Sequence, residues 1–423
     1  MRTSGSKQEA AYHLFVTCAG ALVFFSLFAL WHAGSSPSSS SPSSTGVRGA
    51  VSGSWAASKA FFSPSRSSTP RYSLHQCLGG ATWDNSGHPF PGAGSKTRRC
   101  HFQNVCARLL PLDAPGMKWD TDTNTTIELT YYRDPRLGGG STIWSTETRE
   151  SEEPWLMTDR DHYLTVREVY GEMPREKELV EPPTVLMGAF WPANFGHALG
   201  DDLLPAFRLL QLFSLLRPDN YYAFHQSCLS RGGHDGCRNA RALHALVTSQ
   251  PYEQLGGALF PDTVGQTCFA DLVLGPNELT MRHPTGRTWV DLADWMKSRI
   301  DLPVGSMKKP LKKHKVVIIE KHGRRTWLNY AEVRKHVEET YGVEALLVDP
   351  ATLSVEDQLR LFDGTTVLVT PPGGVSFSSL FLREGAAAVM VEWWDEGQQR
   401  SFPMDQEVYI AGASSSLTPP GQN

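Results

Sequence analysis

The sequence lacks the short motifs that identify several common classes of enzyme. It contains neither G-x-G-x-x-G nor G-x-x-x-x-G-K-[ST], so the fingerprints of NAD and ATP sites are absent. It contains neither G-x-S-x-G nor H-E-x-x-H, which argues against the common hydrolases. Its seven cysteines form no C-x-x-C pair, so a zinc ribbon is not expected. The absence of a repeated unit excludes a solenoid.

The composition indicates a globular chain and gives no sign of a nucleic-acid partner. Of 423 residues, 40% are hydrophobic and twelve are Trp, which is enough to fill a sizeable core. The formal net charge is −4 and the pI is near 6.4. Charge therefore gives no reason to expect a nucleic acid as partner. A mean hydropathy of −0.30 excludes a protein with many membrane spans.

One apolar run near the N-terminus predicts a membrane anchor. Residues 10–33 are long enough to cross the hydrocarbon core as a single helix. Arg2 and Lys7 precede the run, so residues 1–9 are predicted to be a cytosolic tail and the bulk of the chain to be translocated. A cleavable signal peptide is the alternative, but the run is longer than the usual apolar region of such a peptide.

The tract that follows the anchor predicts a disordered stem. Residues 34–71 are rich in Ser, contain no Asp or Glu and hold few large apolar side chains. Such a composition cannot bury enough surface to offset the entropy of ordering. Anchor, stem and globular region in this order predict a single-pass type II protein of the secretory pathway, in the Golgi or ER membrane, with its globular region in the lumen.

Two further patterns support a luminal location of the globular region. Outside the anchor there are six cysteines, an even number that permits up to three disulfides in an oxidising compartment. A bond between Cys228 and Cys237 is predicted as a local loop closure. Asn124 begins an N-glycosylation sequon on the side predicted to be luminal.

The globular part divides into segments with different patterns. Residues 72–182 are rich in Gly and Pro and predict an irregular, disulfide-containing leader. Apolar strands then alternate with helices, which is typical of doubly wound parallel sheets. The predicted fold class is therefore α/β, with two Rossmann-like domains facing a cleft. Their predicted extents are 183–302 for the N-terminal domain, 303–313 for a linker, 314–400 for the C-terminal domain and 401–423 for a tail.

The first candidate site lies where a strand leads into a helix within residues 184–213. Asn194 stands in the loop, and His197 and Asp201 are four residues apart on one predicted helix face. A carboxylate that orients an imidazole is a common way to build a general base. The structural alternative makes Asn194 a helix cap, His197 a buried hydrogen-bonded residue, and Asp201 and Asp202 favourable charges at the helix N-terminus. Two ligands of this kind do not make a metal site.

The second candidate site is the loop with the sequence "TPPGGVSFSS". Gly373 and Gly374 let the backbone approach a ligand closely, and Ser376 is a candidate N-cap of the next helix. A plain tight turn is the alternative. Glu392 ends the following strand, where a ribose hydroxyl would bind.

A third block, "EKHGRRTWLN", places Arg324 and Arg325 after a strand. Forked guanidinium donors match phosphate oxygens, whereas solvated surface charge is the alternative interpretation. The triplets Asp120-Thr-Asp122 and Asp159-Arg-Asp161 are of the kind that metal-dependent sugar transferases use, but both fall in the leader and are interpreted as turns.

In order and spacing, these blocks resemble the three signature blocks of glycosyltransferase family 61. They are "NFGHALGDDLLPAFRLL", "EKHGRRTWLN" and "PPGGVSFSSLFLREGAAAVMVE". The family includes eukaryotic β-linked N-acetylglucosaminyl-, xylosyl- and arabinosyl-transferases. The resemblance implies a GT-B fold, a nucleotide-sugar donor held mainly by the C-terminal domain, inversion at the anomeric carbon, and no required metal cofactor.

Residue by residue, the resemblance assigns three groups of positions. The cleft motif corresponds to Asn194, His197 and Asp201, with Asp202 beside them. The diphosphate block corresponds to Arg324, Arg325 and Asn329. The glycine loop corresponds to Gly373 and Gly374, followed by Ser376 and Glu392. The chain departs from the family at Pro372, where members usually carry His; a phosphate donor would then come from elsewhere, such as His322.

These observations predict a transferase that moves a sugar, UDP-sugar being the expected donor, to a glycan or glycoprotein acceptor. His197 assisted by Asp201, or Asp201 itself, would be the base. Two alternatives stay open. One is a luminal carbohydrate-binding protein that has the same fold without turnover, which Pro372 favours. The other is a metal-dependent transferase that uses Asp120 and Asp122.

Overall fold

The computed structural model describes thirteen segments of the chain, all within one compact unit, Thr69–Asn423. They are 71–78, 99–111, 125–137, 164–188, 193–225, 237–254, 265–275, 288–304, 314–322, 327–383, 385–391, 393–395 and 400–402. The predicted tail and anchor and residues 34–70 of the predicted stem lie outside them. None of the described helices is long and apolar enough to cross a membrane.

A mixed sheet forms the N-terminal half. Its nine described strands are β1 (Leu74–Leu78), β2 (Arg99–Pro111), β3 (Thr125–Arg133), β4 (Leu164–Tyr170), β5 (Leu179–Val180), β6 (Thr184–Gly188), β7 (Tyr221–His225), β8 (Glu253–Gln254) and β9 (Thr267–Leu274). The order is β4-β3-β2-β9-β6-β7-β8, with β1 paired to β2 and β5 to β9. Strands β9, β6, β7 and β8 run parallel, as the alternating pattern predicted. Val185, Leu186 and Met187 are all fully buried, as expected of a strand covered on both faces.

The prediction of an irregular leader over residues 72–182 is wrong for much of that segment. Strands β1 to β5 come from it and extend the sheet, and β2 pairs antiparallel with β9. The strand pattern of β2 is obscured because Asn104 adopts a left-handed conformation (φ 53°). Beyond it Val105, Cys106 and Ala107 are all buried, which breaks the alternation that marks a strand in sequence.

A disulfide joins this added part of the sheet to its centre. Cys106 on β2 is bonded to Cys268 on β9, directly opposite in register, with 3.9 Å between their Cα atoms. Cys100 and Cys237 are also disulfide-bonded, to residues outside the side chains that the structure describes. Cys228 lies outside the described residues, so its predicted bond to Cys237 stays a prediction.

Helices cover the sheets. Helix α1 has three consecutive parts: an α-helical turn (Phe195–His197), a π-helical segment (Ala198–Leu203) and an α-helix (Leu204–Leu212). The others are α2 (Arg238–Ala245), α3 (Thr288–Ser298), α4 (Tyr330–Tyr341) and α5 (Val355–Asp363). In the described segments, 3-10 helices span Pro135–Leu137, Pro350–Thr352 and Gly374–Phe381. Ser354 caps α5 by accepting from the Asp357 backbone N–H.

The C-terminal half contains a parallel sheet of four described strands. They are β10 (Val316–Ile319), β11 (Ala345–Val348), β12 (Val367–Thr370) and β13 (Ala387–Met390), in the order β11-β10-β12-β13. Strand β13 ends at Met390, and the next strand, β14 (Trp393–Asp395), pairs antiparallel with β15 (Arg400–Phe402) outside this sheet. After β10 the chain moves first to one side and later to the other, so the strand order reverses there. Ligands of open α/β sheets bind in the crevice at such a reversal.

One hydrophobic cluster connects the two sheets. It contains Val185 of β6, Val317 and Ile319 of β10, and Phe377 and Phe381 of the last 3-10 helix. A buried ion network crosses the same region, where the Asp363 carboxylate lies 3.1 Å from the Lys297 ammonium and also accepts from Arg383. The loops at the carboxyl ends of both sheets are therefore supported by one continuous core.

Candidate functional site

The loop after β6 is fixed by an asparagine cap. The Asn194 side-chain oxygen accepts from the backbone N–H groups of Gly196, at 2.9 Å, and His197, at 3.5 Å. These are among the donors that the first turn of a helix leaves without partners. The cap therefore sets where α1 begins and how His197 enters the site, as the structural interpretation of Asn194 expected.

His197 and Asp201 are paired, as their spacing predicted. His197 Nδ1 donates to Asp201 Oδ2 at 2.5 Å across the π-helical segment. A carboxylate only accepts, so Nδ1 carries the proton and Nε2 is left to exchange one. The side chain of His197 is 31% exposed, whereas that of Asp201 is 0% exposed. The imidazole faces the solvent-accessible space and the carboxylate supports it from behind.

The neighbouring Asp202 does not share that orientation. It is buried, and its charge acts on Tyr252, together with that of Arg241. Asp202 does not line the cavity described below, so its place in an acceptor cleft stays a prediction. Successive side chains on a helix point in different directions around its axis. Two adjacent aspartates on α1 therefore face different neighbours.

The glycine loop has the backbone that its residues suggested, with one correction. Gly373 has φ 106° and ψ −165°, a conformation that side chains other than glycine's rarely allow. Ser376 is not the predicted N-cap. It is fully buried inside the 3-10 helix, and its hydroxyl donates to the Gly373 carbonyl at 2.6 Å. Ser376 thus holds the loop in shape from within.

The two loops touch each other. A Cβ atom at Gly374 would lie 2.5 Å from the Asn194 side-chain oxygen and 3.2 Å from the Gly196 nitrogen. A Cβ atom at Gly196 would lie 2.7 Å from the Gly374 Cα. The strand-to-helix junctions of both halves, 180 residues apart by the difference 374 − 194, therefore meet at one place.

The basic block after β10 is described in part. The Lys321 ammonium donates to the Pro372 carbonyl at 2.9 Å, which connects the loops that follow β10 and β12. His322 is 64% exposed, and its Nε2 lies 3.4 Å from Glu320 Oε1. Asn329 precedes α4, makes no side-chain cap bond and does not line the cavity. Arg324, Arg325, Glu392 and Asn124 lie outside the described residues, as do Asp120, Asp122, Asp159 and Asp161.

A cavity of about 1040 Å³ lies between the two halves. Its N-terminal wall includes Asn194, His197, Arg238 and Asn239, and its opposite wall includes Lys321, His322, residues 350–355, Gly373 and Gly374. Its size lies at the upper end of the usual range for small-molecule sites. None of the described residues that line it is Asp or Glu. The site is thus a large space with a positive lining.

Sequence reasoning did not single out Arg238, Asn239 or the segment 350–355 as site residues. Arg238 and Asn239 open a helix that follows a parallel strand, and residues 350–355 follow β11. Both positions are at the carboxyl side of parallel strands, which is the signal that would have found them.

A comparison with known families finds a match over residues that form this site. A family model described as Glycosyltransferase 61 matches residues 195–390. Over these residues the chain is similar to glycosyltransferase family 61. A comparison with curated proteins gives no significant match.

The glycosyltransferase family 61 match begins next to the Asn194 cap and ends at Met390, the last residue of β13. It therefore includes both junctions and the basic block, while strands β1 to β6 precede it. In the part of the domain that the structure describes, no three His, Cys, Asp or Glu side chains are grouped as a metal site.

Proposed function

We propose that this protein is an inverting glycosyltransferase that moves a sugar from a nucleotide sugar, preferably a UDP-sugar, to a hydroxyl of a glycan or glycoprotein. The observation that carries the proposal is the shared cavity. His197, backed by the buried Asp201, lines the same space as the glycine loop Gly373–Gly374. A base and a phosphate-binding loop are the two parts that such a transfer needs on opposite sides of the reacting carbon.

His197 is the proposed general base. Its Nδ1 is held by Asp201, so Nε2 takes the proton from the acceptor hydroxyl while that oxygen attacks the anomeric carbon. Asp201 supports the resulting imidazolium. The exposure of the two side chains favours this assignment over Asp201 as the base, because the carboxylate has no direct access to the cavity. Attack opposite the departing diphosphate inverts the anomeric carbon.

The C-terminal wall is proposed to stabilise the departing nucleoside diphosphate. Backbone N–H groups at the start of a helical turn after Gly373 suit an anion, and Lys321 and His322 line the cavity beside them. Lys321 is held against Pro372, the position at which this chain departs from the family. We therefore assign to Lys321 and His322 the phosphate contacts that a histidine at 372 would provide, and we expect Arg324 and Arg325 to add to them. No metal is required in this scheme.

The compartment is part of the proposal. The Cys106–Cys268 bond supports folding in an oxidising lumen. Together with the predicted anchor and the Asn124 sequon, it supports a type II protein of the Golgi or ER with a GT-B-like luminal region.

Donor hydrolysis tests the proposal. Purified full-length wild type, His197→Ala and a control, His336→Ala, are incubated with a panel of nucleotide sugars. His336 is exposed on α4. We expect wild type and control to hydrolyse the same donor, and His197→Ala to be slower by roughly 10²- to 10⁴-fold. Equal rates for His197→Ala and wild type would remove His197 from the mechanism. Activity that survives a chelator would eliminate the metal-dependent alternative.

A second candidate function is a luminal carbohydrate-binding protein with no turnover, and Pro372 is the feature that favours it. Calorimetry with UDP separates the two. Heat of binding and thermal stabilisation support the transferase, whereas the absence of both supports the carbohydrate-binding protein.

A further inference from the structure

The cavity has permanent positive charge on both of its walls. The Arg and Lys side chains among its described lining residues are Arg238, from the N-terminal half, and Lys321, from the C-terminal half. No carboxylate among the described lining residues offsets them. Because a site with low-dielectric walls strengthens such charges, the space between them favours an anionic ligand.

Arg238 stands on an anchored piece of backbone. Next to it, Asn239 Nδ2 donates to the Ala193 carbonyl at 3.0 Å, which ties the start of α2 to the loop that holds Asn194. On its other side, Cys237 is buried and disulfide-bonded. Helix α2 also packs against the π-helical segment of α1. The base of the Arg238 side chain is therefore held in place relative to His197.

The Arg238 guanidinium is available to bind a ligand. Within the described residues it makes no hydrogen bond or ion pair, and the residue is exposed. The first turn of α2 contains no acidic residue, so the positive end of the helix is not offset either. The Arg238 guanidinium is a forked donor on a fixed backbone, and the cavity that it lines has no carboxylate among its described lining residues. Such a donor can bind two oxygens of one phosphate group.

We propose that Arg238 is a further donor-binding residue, which contacts the diphosphate from the N-terminal half, opposite Lys321. This inference rests on the proposed function and goes beyond it, because the family resemblance places the donor mainly in the C-terminal half. The nucleotide then spans the cavity, and its diphosphate holds the two walls together while the acceptor hydroxyl is presented to His197.

The test is calorimetric titration of the full-length protein with UDP, GDP, ADP and CDP. Four proteins are compared: wild type, Arg238→Gln, Arg238→Lys and the control Arg334→Gln. Arg334 is an arginine on α4 that pairs with Glu338 at the surface. We expect Arg238→Gln to bind the preferred diphosphate roughly 10- to 100-fold more weakly, as for the loss of a charged hydrogen bond. Arg238→Lys should regain part of the affinity, and Arg334→Gln should bind as wild type does.

Thermal unfolding of all four proteins shows whether they are equally folded. Tight binding by wild type together with unchanged affinity in Arg238→Gln would overturn this inference and leave the proposed function standing. The inference would be overturned in the same way if the affinity for the diphosphate were unchanged and only transfer to an acceptor were slower. Failure of wild type to bind any of the four diphosphates would overturn the proposed function and this inference with it.

Discussion

The backbone of Gly196 lies directly against that of Gly374. Neither residue leaves room for a side chain, because an added Cβ atom would meet the partner loop at 2.5–2.7 Å. Interiors are packed so closely that atoms this near must shift. This contact joins the turn that begins α1 to the loop that follows β12, and so brings the proposed base and the proposed phosphate-binding loop into one cavity.

A methyl group at position 374 should therefore disturb both stability and activity. In Gly374→Ala the new Cβ meets Asn194 Oδ1, whose amide caps α1 and cannot move without losing the cap. We expect the free energy of unfolding to fall by about 1–3 kcal/mol and donor hydrolysis to slow. Denaturant unfolding and the hydrolysis assay measure the two effects.

Gly364→Ala is the matched control. There the nearest atom to an added Cβ is the Leu361 carbonyl oxygen, at 3.7 Å, and φ is −86°. This variant should keep the stability and activity of wild type. If both alanine variants were equally stable and active, the tight contact between the loops would contribute to neither stability nor activity.

The features predicted correctly depend on local patterns. The strands of the C-terminal sheet follow from short apolar runs, and the His197–Asp201 pair follows from a spacing of four residues on a helix. Parallel strands that are buried on both faces appear in a sequence as continuous apolar runs. The strands of the C-terminal sheet could therefore be predicted from the sequence.

The features that were missed depend on distant parts of the chain. Strand β2 is stabilised by β9, whose residues lie about 160 positions away, and its pattern is broken at Asn104. That neither Asp201 nor Asp202 lines the cavity does not follow from their spacing, because both lie in a π-helical segment that the sequence does not reveal. The sequence marks Arg238 only by its position after a parallel strand, and its importance comes from the cavity that it lines.

Replacing the buried carboxylate should affect catalysis more than donor binding. In Asp201→Asn the amide can donate to His197 Nδ1 and so reverse the tautomer, which leaves Nε2 protonated and unable to act as a base. We expect kcat to fall by about 10²- to 10⁴-fold, with little change in the affinity for UDP. Kinetics and calorimetry on the same protein check both. A wild-type kcat in Asp201→Asn would show that the pair has no role in proton transfer.

Removal of Asp363 should cost stability. Its carboxylate faces the Lys297 ammonium, whose side chain is only 5% exposed, and it also binds Arg383 and raises the pKa of that guanidinium. In Asp363→Asn the lysine charge stays buried without compensation, so the free energy of unfolding should fall by roughly 3–5 kcal/mol.

The control for Asp363 is Glu339→Gln. Glu339 pairs with Lys335 at 3.8 Å, and both side chains are more than half exposed. Solvent screens such a pair, so this variant should stay within about 1 kcal/mol of wild type. Equal denaturation midpoints for the two variants would mean that the buried network contributes nothing to stability.

The buried His244 should make the protein less stable in acid. Its ring packs edge-on against Tyr222 and Tyr252, and Asp202 and Arg241 act on Tyr252 from α1 and α2. Burial lowers the pKa of His244 to about 3, from its ordinary value of 6.5. Below pH 6.5 the unfolded chain therefore binds a proton that the folded chain excludes, and stability is lost as pH falls towards 3. The loss is about 1.4 kcal/mol for each pH unit in this window.

His244→Leu tests this origin, because leucine has a similar volume and does not titrate. The difference in unfolding free energy between the variant and wild type, measured by denaturant at several pH values, should shift in favour of the variant by about 2 kcal/mol between about pH 6.5 and 5. His336→Leu, at an exposed position on α4, should change in parallel with wild type. A constant difference between His244→Leu and wild type across this range would mean that His244 takes up protons equally in both states, and that the aromatic pocket does not hold it neutral.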